Sequence, residues 1–509
     1  MNSGSFETTL DQINQLRYQQ PFSRRAEMES DPVLAEDLRY ASQIAQDIKN
    51  EGGLALVVGG FVRDTVLSDI RGEQFISKDI DIEVYNMPFK DLEYYLQRYG
   101  KVNLVGASFG IIKLTNSQTH STLDFSIPRK DSKVDLGHKG FVVTGDPTMS
   151  VRDAAARRDL TINALAMDPL TGEVIDEYGG IADLQNGILR ATDAGLFTDD
   201  PLRSLRVMQF AGRYGFTVDA DTVELCRSLD LSELPRERMW DEWAKLLLRS
   251  PRPSVGLEAA KQLGILEQLH PELEVLESID QEPEWHPEGD VWIHTKNVVD
   301  AAARITQVEH LSEQDALIVL LGALCHDLGK ASTTQLAEKH GVMRLTAHGH
   351  EQASVEPARC FLEGIYCHQD IIAKVLPIIR EHLFHEHSKE PSDKSLHRFA
   401  HRLRPASIYL WDLVARADAN GRGEEFMSRT PSHKVYLRST ELGVEHKPAQ
   451  MIVNGQDLID YLGLKPGVLF GHILRALYEA QIEGAFTSIE RGIAYCVDND
   501  IVQKSIDLL

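Results

Sequence analysis

LVVGGFVRD at residues 56–64, followed by KDIDIEVY at 78–85, decides the reading of the fold. The first stretch runs from a β-type apolar segment into two glycines, Gly59 and Gly60. Without side chains, their backbone N–H groups can approach an anion where a helix begins, although the same pair also suits a plain tight turn. The second stretch sets Asp79 and Asp81 one residue apart, so that on a strand both carboxylates point to one face. Two hard oxygen donors near a phosphate cradle form a Mg²⁺ site of the two-metal kind, with ions roughly 3.5 to 4 Å apart. The other reading is a solvated strand edge. Asp124, in STLDFSIPR at 121–129, stands on a further alternating run. It joins the first two, as general base or metal ligand, if the strands are neighbours, and is otherwise a surface residue.

Outward from this pair, the chain from 54 to about 175 alternates short β-type runs (LALVVGG, IDIEVY, GIIKLT, STLDFSI) with helical stretches such as FKDLEYYLQRYG, which predicts an α/β domain. Before it, VLAEDLRYASQIAQDIKN has the apolar spacing of an amphipathic helix. Beyond 176 nearly everything has a helical period. EPEWHPEGD at 282–290 is the best linker, and RGEEFMSRTPSHK at 422–434 is a second polar break. The expected domains are an N-terminal helical extension at 1–50, a head at 51–175, a helical neck at 176–280, a metal-binding domain at 288–425 and a C-terminal helical segment at 426–509.

With 509 residues the chain exceeds what one core usually organises. Its five cysteines form no CxxC pair and read as buried thiols in a reducing cytoplasm. The N-terminus has no basic flank leading into an apolar run, and no stretch reads as a membrane span, so the expected location is cytoplasmic with no membrane partner. A formal net charge of -24 argues against a nucleic-acid substrate unless arginines gather in a local basic stripe.

A second set of donors spans 290–425: His294 in VWIHTK, His326 and Asp327 in CHDLGK, His350 in HGHEQ, His382 in REHLF and Asp418 in RADANGR. Adjacent His and Asp can grip one metal or bridge two, and imidazoles from several helices complete a site for Mn, Fe, Co, Ni or Mg. Two metals would let a bridging hydroxide attack a phosphoester. Any one of these histidines alone reads as a hydrogen-bonded core residue. His340 and His348 compete with His350, and Lys330 either steadies a phosphate or solvates a helix end.

The ordered set GGFVRD, KDIDIEV, AARRDLTINALAMD, DEYGGIADL, DDPLRSLR and RERMWDE resembles the bacterial tRNA nucleotidyltransferase and poly(A) polymerase family, class II of the polymerase-β-like superfamily. The later His/Asp series resembles the HD phosphohydrolases, as found in some bacterial tRNA nucleotidyltransferases. The resemblance implies an α/β polymerase-β-like head followed by all-α neck, HD and C-terminal helical domains. It implies that Gly60 and Arg63 contact a triphosphate, that Asp79 and Asp81 hold Mg²⁺, and that Arg158 faces the nucleotide with Arg157 and Asp159 shaping the site. Asp200 and Arg203 are three apart and read as neighbours on one helical face, able to present an acceptor and a donor fork to a base edge or simply to form a surface salt bridge. The family assigns them to reading C and then A, with Arg206 one turn on, and gives Glu237, Arg238 and Glu242 a supporting role.

This sequence departs from the family at Asp199, commonly Glu, and at Gln209, where better-known members carry a further arginine. The stretch 129–147, which corresponds to the segment needed for the switch from C to A addition, is full length. The resemblance thus implies CCA addition to tRNA from CTP and ATP, with Mg²⁺ in the head. In the HD domain it implies a transition metal (Mn, Co, Ni or Fe) or Mg²⁺, with phosphatase or 2′,3′-cyclic phosphodiesterase activity. Homodimer formation is left open. The alternatives are a CC-only, A-only or poly(A) enzyme, and an HD hydrolase with an inactive RNA-binding head.

Overall fold

The computed structural model describes residues 31–73, 79–105, 110–133, 141–339, 341–387, 391–423 and 432–507. Its contacts divide the chain into two compact units, Met1–Leu246 with Val255–Leu269, and Leu247–Ser254 with His270–Leu509.

The first unit opens with helix α1 (Pro32–Asn50), started by Pro32 and by the Asp31 carboxylate, which accepts from the Val33 and Leu34 amides. It leads into strand β1 (Leu54–Val58) and helix α2 (Gly60–Arg71). Next come β2 (Ile80–Tyr85), α3 (Phe89–Leu96), β3 (Lys101–Val105), β4 (Ile111–Thr115) and β5 (Thr122–Ser126). A hairpin of β6 (Arg129–Lys133) and β7 (Phe141–Gly145), the helix α4 (Val151–Ala156) and the short strands β8 (Ala166–Met167) and β9 (Val174–Ile175) complete the head. Seven strands form one sheet in the order β3-β4-β5-β2-β1-β8-β9. Within it β2 and β5 run parallel and every other pair antiparallel. Strand alternation sends Ile80, Ile82 and Val84 into the core and Asp81 to the open face. The sheet continues into a helical region through α5 (Leu202–Tyr214), which ends at Gly215 with φ 68°.

In the second unit, α6 (Val291–Val308) is capped by Asp290, whose carboxylate accepts from the Ile293 amide at 2.8 Å. It packs with α7 (Glu313–Cys325), which also carries α8 (Gln369–Arg380), and with α9 (Ile408–Gly421). Helix α7 is apolar all round because it is the core helix of this unit. The run Glu313–Thr333 is long and apolar enough to cross a membrane, yet 83% of its most apolar window is buried inside the protein. A β-hairpin, Gln335–Lys339 with Val342–Thr346, interrupts the helices, where the helical period had predicted none. It eluded that reading because an exposed two-stranded ribbon needs no apolar alternation. The C-terminal segment has its own core around Leu458, Ile473, Leu477, Ile493 and Cys496.

Residues 282–290, whose prolines and charges suggested a linker, belong to the second unit instead. Of the five cysteines, none of which is bonded to another, Cys360 is exposed rather than buried.

Candidate active sites

In the head, register brings the carboxylates together. Asp81 pairs with Asp124 across the parallel β2–β5 ladder and with Val58 across β1–β2, so the residue after Val58, Gly59, sits beside it. Gly59 has φ 75°, and a Cβ there would lie 2.9 Å from Arg158 Nη1 and 4.0 Å from Asp81 Oδ2. A side chain here would displace the end of that arginine and strain the positive φ, both of which glycine avoids. Gly59 also begins α2 without a side-chain cap, so the first amides from Gly60 onward face the site. Asp79 lies one residue before β2 and is exposed. Asp81 is exposed to solvent, yet the protein packed around it partly desolvates its carboxylate. Partial desolvation raises its pKa to about 6; Arg158 and Lys113 oppose the shift, and Asp124 and Asp79 add to it.

Lys113, which the sequence reading passed over, projects from β4 opposite Asp124 and lies 2.8 Å from its Oδ2. Among the described residues, three metal-type donors converge within 4.8 Å only in the second unit, not among Asp79, Asp81 and Asp124. The head trio is more open, and one of its charges is already met by Lys113.

The expectation that Arg63 meets a triphosphate does not hold. Arg63 is 4% exposed; its Nε donates to Asp64 at 2.7 Å and its Nη1 to Asn163 Oδ1 at 2.6 Å. The guanidinium also packs 5.1 Å from the ring centroids of Phe210 and Tyr214. It braces α2 against α5, because a buried cation keeps the partners that offset its desolvation. Asn163 continues the chain to Asp159 at 2.8 Å, and Asp159 takes Arg206 Nε at 2.6 Å. Despite burial, Arg206 and Asn163 hold the Asp159 pKa down to about 2. Asp200 precedes α5 rather than lying on it, where its carboxylate accepts from the Leu202 amide at 3.1 Å and from Arg238 at 3.2 Å. Arg203 donates to the Leu196 and Arg157 carbonyls at 2.8 and 2.6 Å. Gln209 is buried, and its Nε2 has no hydrogen-bond partner.

In the second unit all six expected ligands meet. Nε2 of His294 lies 3.3 Å from Nε2 of His326, 3.1 Å from Asp418 Oδ1 and 3.5 Å from Asp327 Oδ2. On the other side of the same carboxylate, His350 Nε2 is 3.2 Å from Asp327 Oδ1 and from His382 Nε2. Asp327 therefore joins two donor triads, as a bridging ligand would. Each ring is aimed from behind. His326, His350 and His382 place Nδ1 against the carbonyls of Ala323, Ala347 and Ile379, at 2.8, 2.7 and 2.7 Å. His294 Nδ1 meets Glu288 at 2.7 Å. With Nδ1 as the donor, every Nε2 lone pair faces inward, and this donor set fits divalent metal.

Burial disfavours charge on His326, but Asp327 beside it leaves its pKa raised, whereas burial and neighbouring imidazoles push His382 well down. Glu288 also receives His286 at 3.0 Å, and both histidines hold its pKa down to about 2 against its partial burial. The sequence reading missed Glu288 and His286; their sign was an acid and a histidine just ahead of the helix that carries His294. His348 is exposed on the rim, and His340 lies outside the described residues. Lys330 is 6% exposed and meets Asp327 and Gln281 at 2.8 and 2.7 Å, so it does not solvate a helix end. Arg422 grips Asp418, with Nη2 at 2.9 Å from Oδ2. A cavity of about 500 Å³ opens beside Asp327, His350 and His382 and includes Lys330 and Arg422 in its wall.

A sheet that gathers carboxylates at a glycine-started helix, in a chain that also builds a His/Asp centre, defines a nucleotidyltransferase carrying an HD domain. The chain matches the Poly A polymerase head domain over 55–190, the probable RNA and SrmB-binding site of polymerase A over 215–276 and the HD domain over 291–419. It belongs to the multifunctional CCA protein family. The Xanthomonas campestris pv. campestris (strain B100) member is 33% identical over 414 residues, covering 79% of this chain and 92% of that one. The Pasteurella multocida member is 37% identical over 310 residues, covering 60% and 67%. The fold is that of the Bacillus stearothermophilus CCA-adding enzyme in complex with CTP, with a TM-score of 0.59 and 20% identity over 92% of this chain and 98% of that one. The Thermotoga maritima CCA-adding enzyme complexed with tRNA has a TM-score of 0.52 and 16% identity, over 94% and 96%.

Proposed function

We propose that the head adds C, C and A to the 3′ end of tRNA from CTP and ATP. The observation that carries this reading is the Asp81–Asp124 register beside the Gly59 turn and Arg158. Asp79 and Asp81 hold Mg²⁺, which when bound offsets charge on the transferring phosphate. The amides at Gly60 and the Arg158 guanidinium receive the triphosphate, and catalysis rests on positioning and charge stabilisation. Asp200, Arg203 and Arg206 present the base-reading groups. Asp124, held by Lys113, stays close enough to accept the proton of the incoming 3′-hydroxyl.

Incorporation into tRNA transcripts ending before CCA, after C and after CC, with CTP, ATP or both, tests this directly. Ordered addition of C, C and A with no extension beyond is expected; addition of one base type alone would assign the chain to the partial enzymes. Asp81→Ala is expected to lower incorporation at least about a hundred-fold.

The six-ligand centre supports a second activity in the same chain, metal-dependent phosphohydrolysis, with His294, His326, Asp327, His350, His382 and Asp418 as ligands. It is expected to survive Asp81→Ala and to be lost in Asp327→Ala.

A further inference from the structure

Beyond its metal ligands and cations, the cavity of the second unit has a wall of a different kind. Among the described residues, Trp285 is the only Trp, Tyr or Phe in its lining, and it keeps 39% of its surface exposed. The ring stands one residue from His286, whose own ring packs 4.9 Å from that of the ligand His294. It is held there by its flanks: Glu282 accepts the Leu345 amide of the hairpin at 3.0 Å, and Glu284 pairs with Arg344. Lys339 Nζ and Arg344 Cζ lie 5.2 and 5.7 Å from the Trp285 ring centroid. Nothing in phosphoester hydrolysis needs an indole, and the two cations beside the ring still leave 39% of the residue's surface open. A flat aromatic face in a cavity of this size fits a nucleobase, which stacks on aromatic side chains for about 1–3 kcal/mol per base.

We propose that Trp285 is the base platform of the second site, with Arg422 and Lys330 meeting the phosphate, so that the indole sets how tightly a nucleotide or nucleotide-ended RNA is held. This rests on the phosphohydrolase reading. Arg422 is already placed for the role, since its fork grips Asp418, a carboxylate that a bound metal would also engage.

The test uses the full chain and two substrates, 2′,3′-cyclic AMP and the non-aromatic glycerol 2-phosphate, with Trp285→Ala and Trp285→Phe. Trp285→Ala is expected to raise KM for the nucleotide about ten-fold or more, with kcat within two-fold and bound metal unchanged. Trp285→Phe is expected to restore most of the loss, and glycerol 2-phosphate, which has no ring to stack, is expected not to respond to either variant. Calorimetry with 2′-AMP in EDTA is expected to show binding weakened at least five-fold by Trp285→Ala, without any turnover. Equal losses on both substrates, or an unchanged nucleotide KM, would overturn the base platform while leaving the hydrolase reading intact. A wild-type chain that turns over neither substrate with Mn, Co, Ni or Mg would overturn that reading and the platform with it.

Discussion

Asp159 lies at the centre of the buried polar chain that runs from Arg63 through Asn163 to Arg206. Its folded pKa of about 2 is below the ordinary 3.8, so the stability it contributes is complete above about pH 4 and is lost as pH falls through about 2. Asp159→Asn should flatten that acid limb and cost roughly 2–3 kcal/mol at pH 7, less than a fully buried pair because Arg206 keeps part of its surface. Urea unfolding at pH 3 and pH 7 checks both. At Gly59, a methyl group would meet Arg158 and strain a positive φ. Gly59→Ala is therefore expected to cost about 1–3 kcal/mol in thermal unfolding and to depress incorporation, with hydrolysis untouched. These two residues also divide what was legible beforehand. Gly59, Asp79 and Asp81 announced themselves by spacing. Arg63 did not, since no pattern in the chain says whether an arginine at the start of a helix points to solvent or into a nest of Asp64, Asn163 and two rings.

At the scale of elements, strands β1, β2, β4 and β5 were readable from alternation, and the Asp124 question reduced to whether β5 lies beside β2, which it does. The pairing partner Lys113 was not readable, because it enters the site only through the β4–β5 register. The six donors that meet in the second unit were legible as residue types on successive helices. The groups behind them were less so, since three of the four Nδ1 contacts go to backbone carbonyls, which every sequence has everywhere. The fourth goes to Glu288, in a segment whose prolines and acids read equally well as a linker. Because Glu288 orients His294, Glu288→Ala is expected to weaken metal binding about 10–100-fold without removing a ligand. Metal retained after dialysis against graded chelator measures it.

For the whole molecule, the net charge of -24 says little about either site, since the charges that matter are local. Arg158, Arg203 and Arg206 lie in the first unit, while Lys330 and Arg422 line the cavity of the second. Chelation should silence both activities, whereas Asp81→Ala and Asp327→Ala should each silence one, and the four combinations of variant and assay check it. Between Glu282, which takes the Leu345 amide, and Glu288, which takes His294, lie only five residues. That stretch is a short tether with the Glu288 contact to His294 at one end and the β-hairpin at the other. Tension at either end is transmitted, so filling the centre should stiffen a ribbon that touches no metal. Limited proteolysis of the hairpin would then read the metal load of the protein with no substrate present.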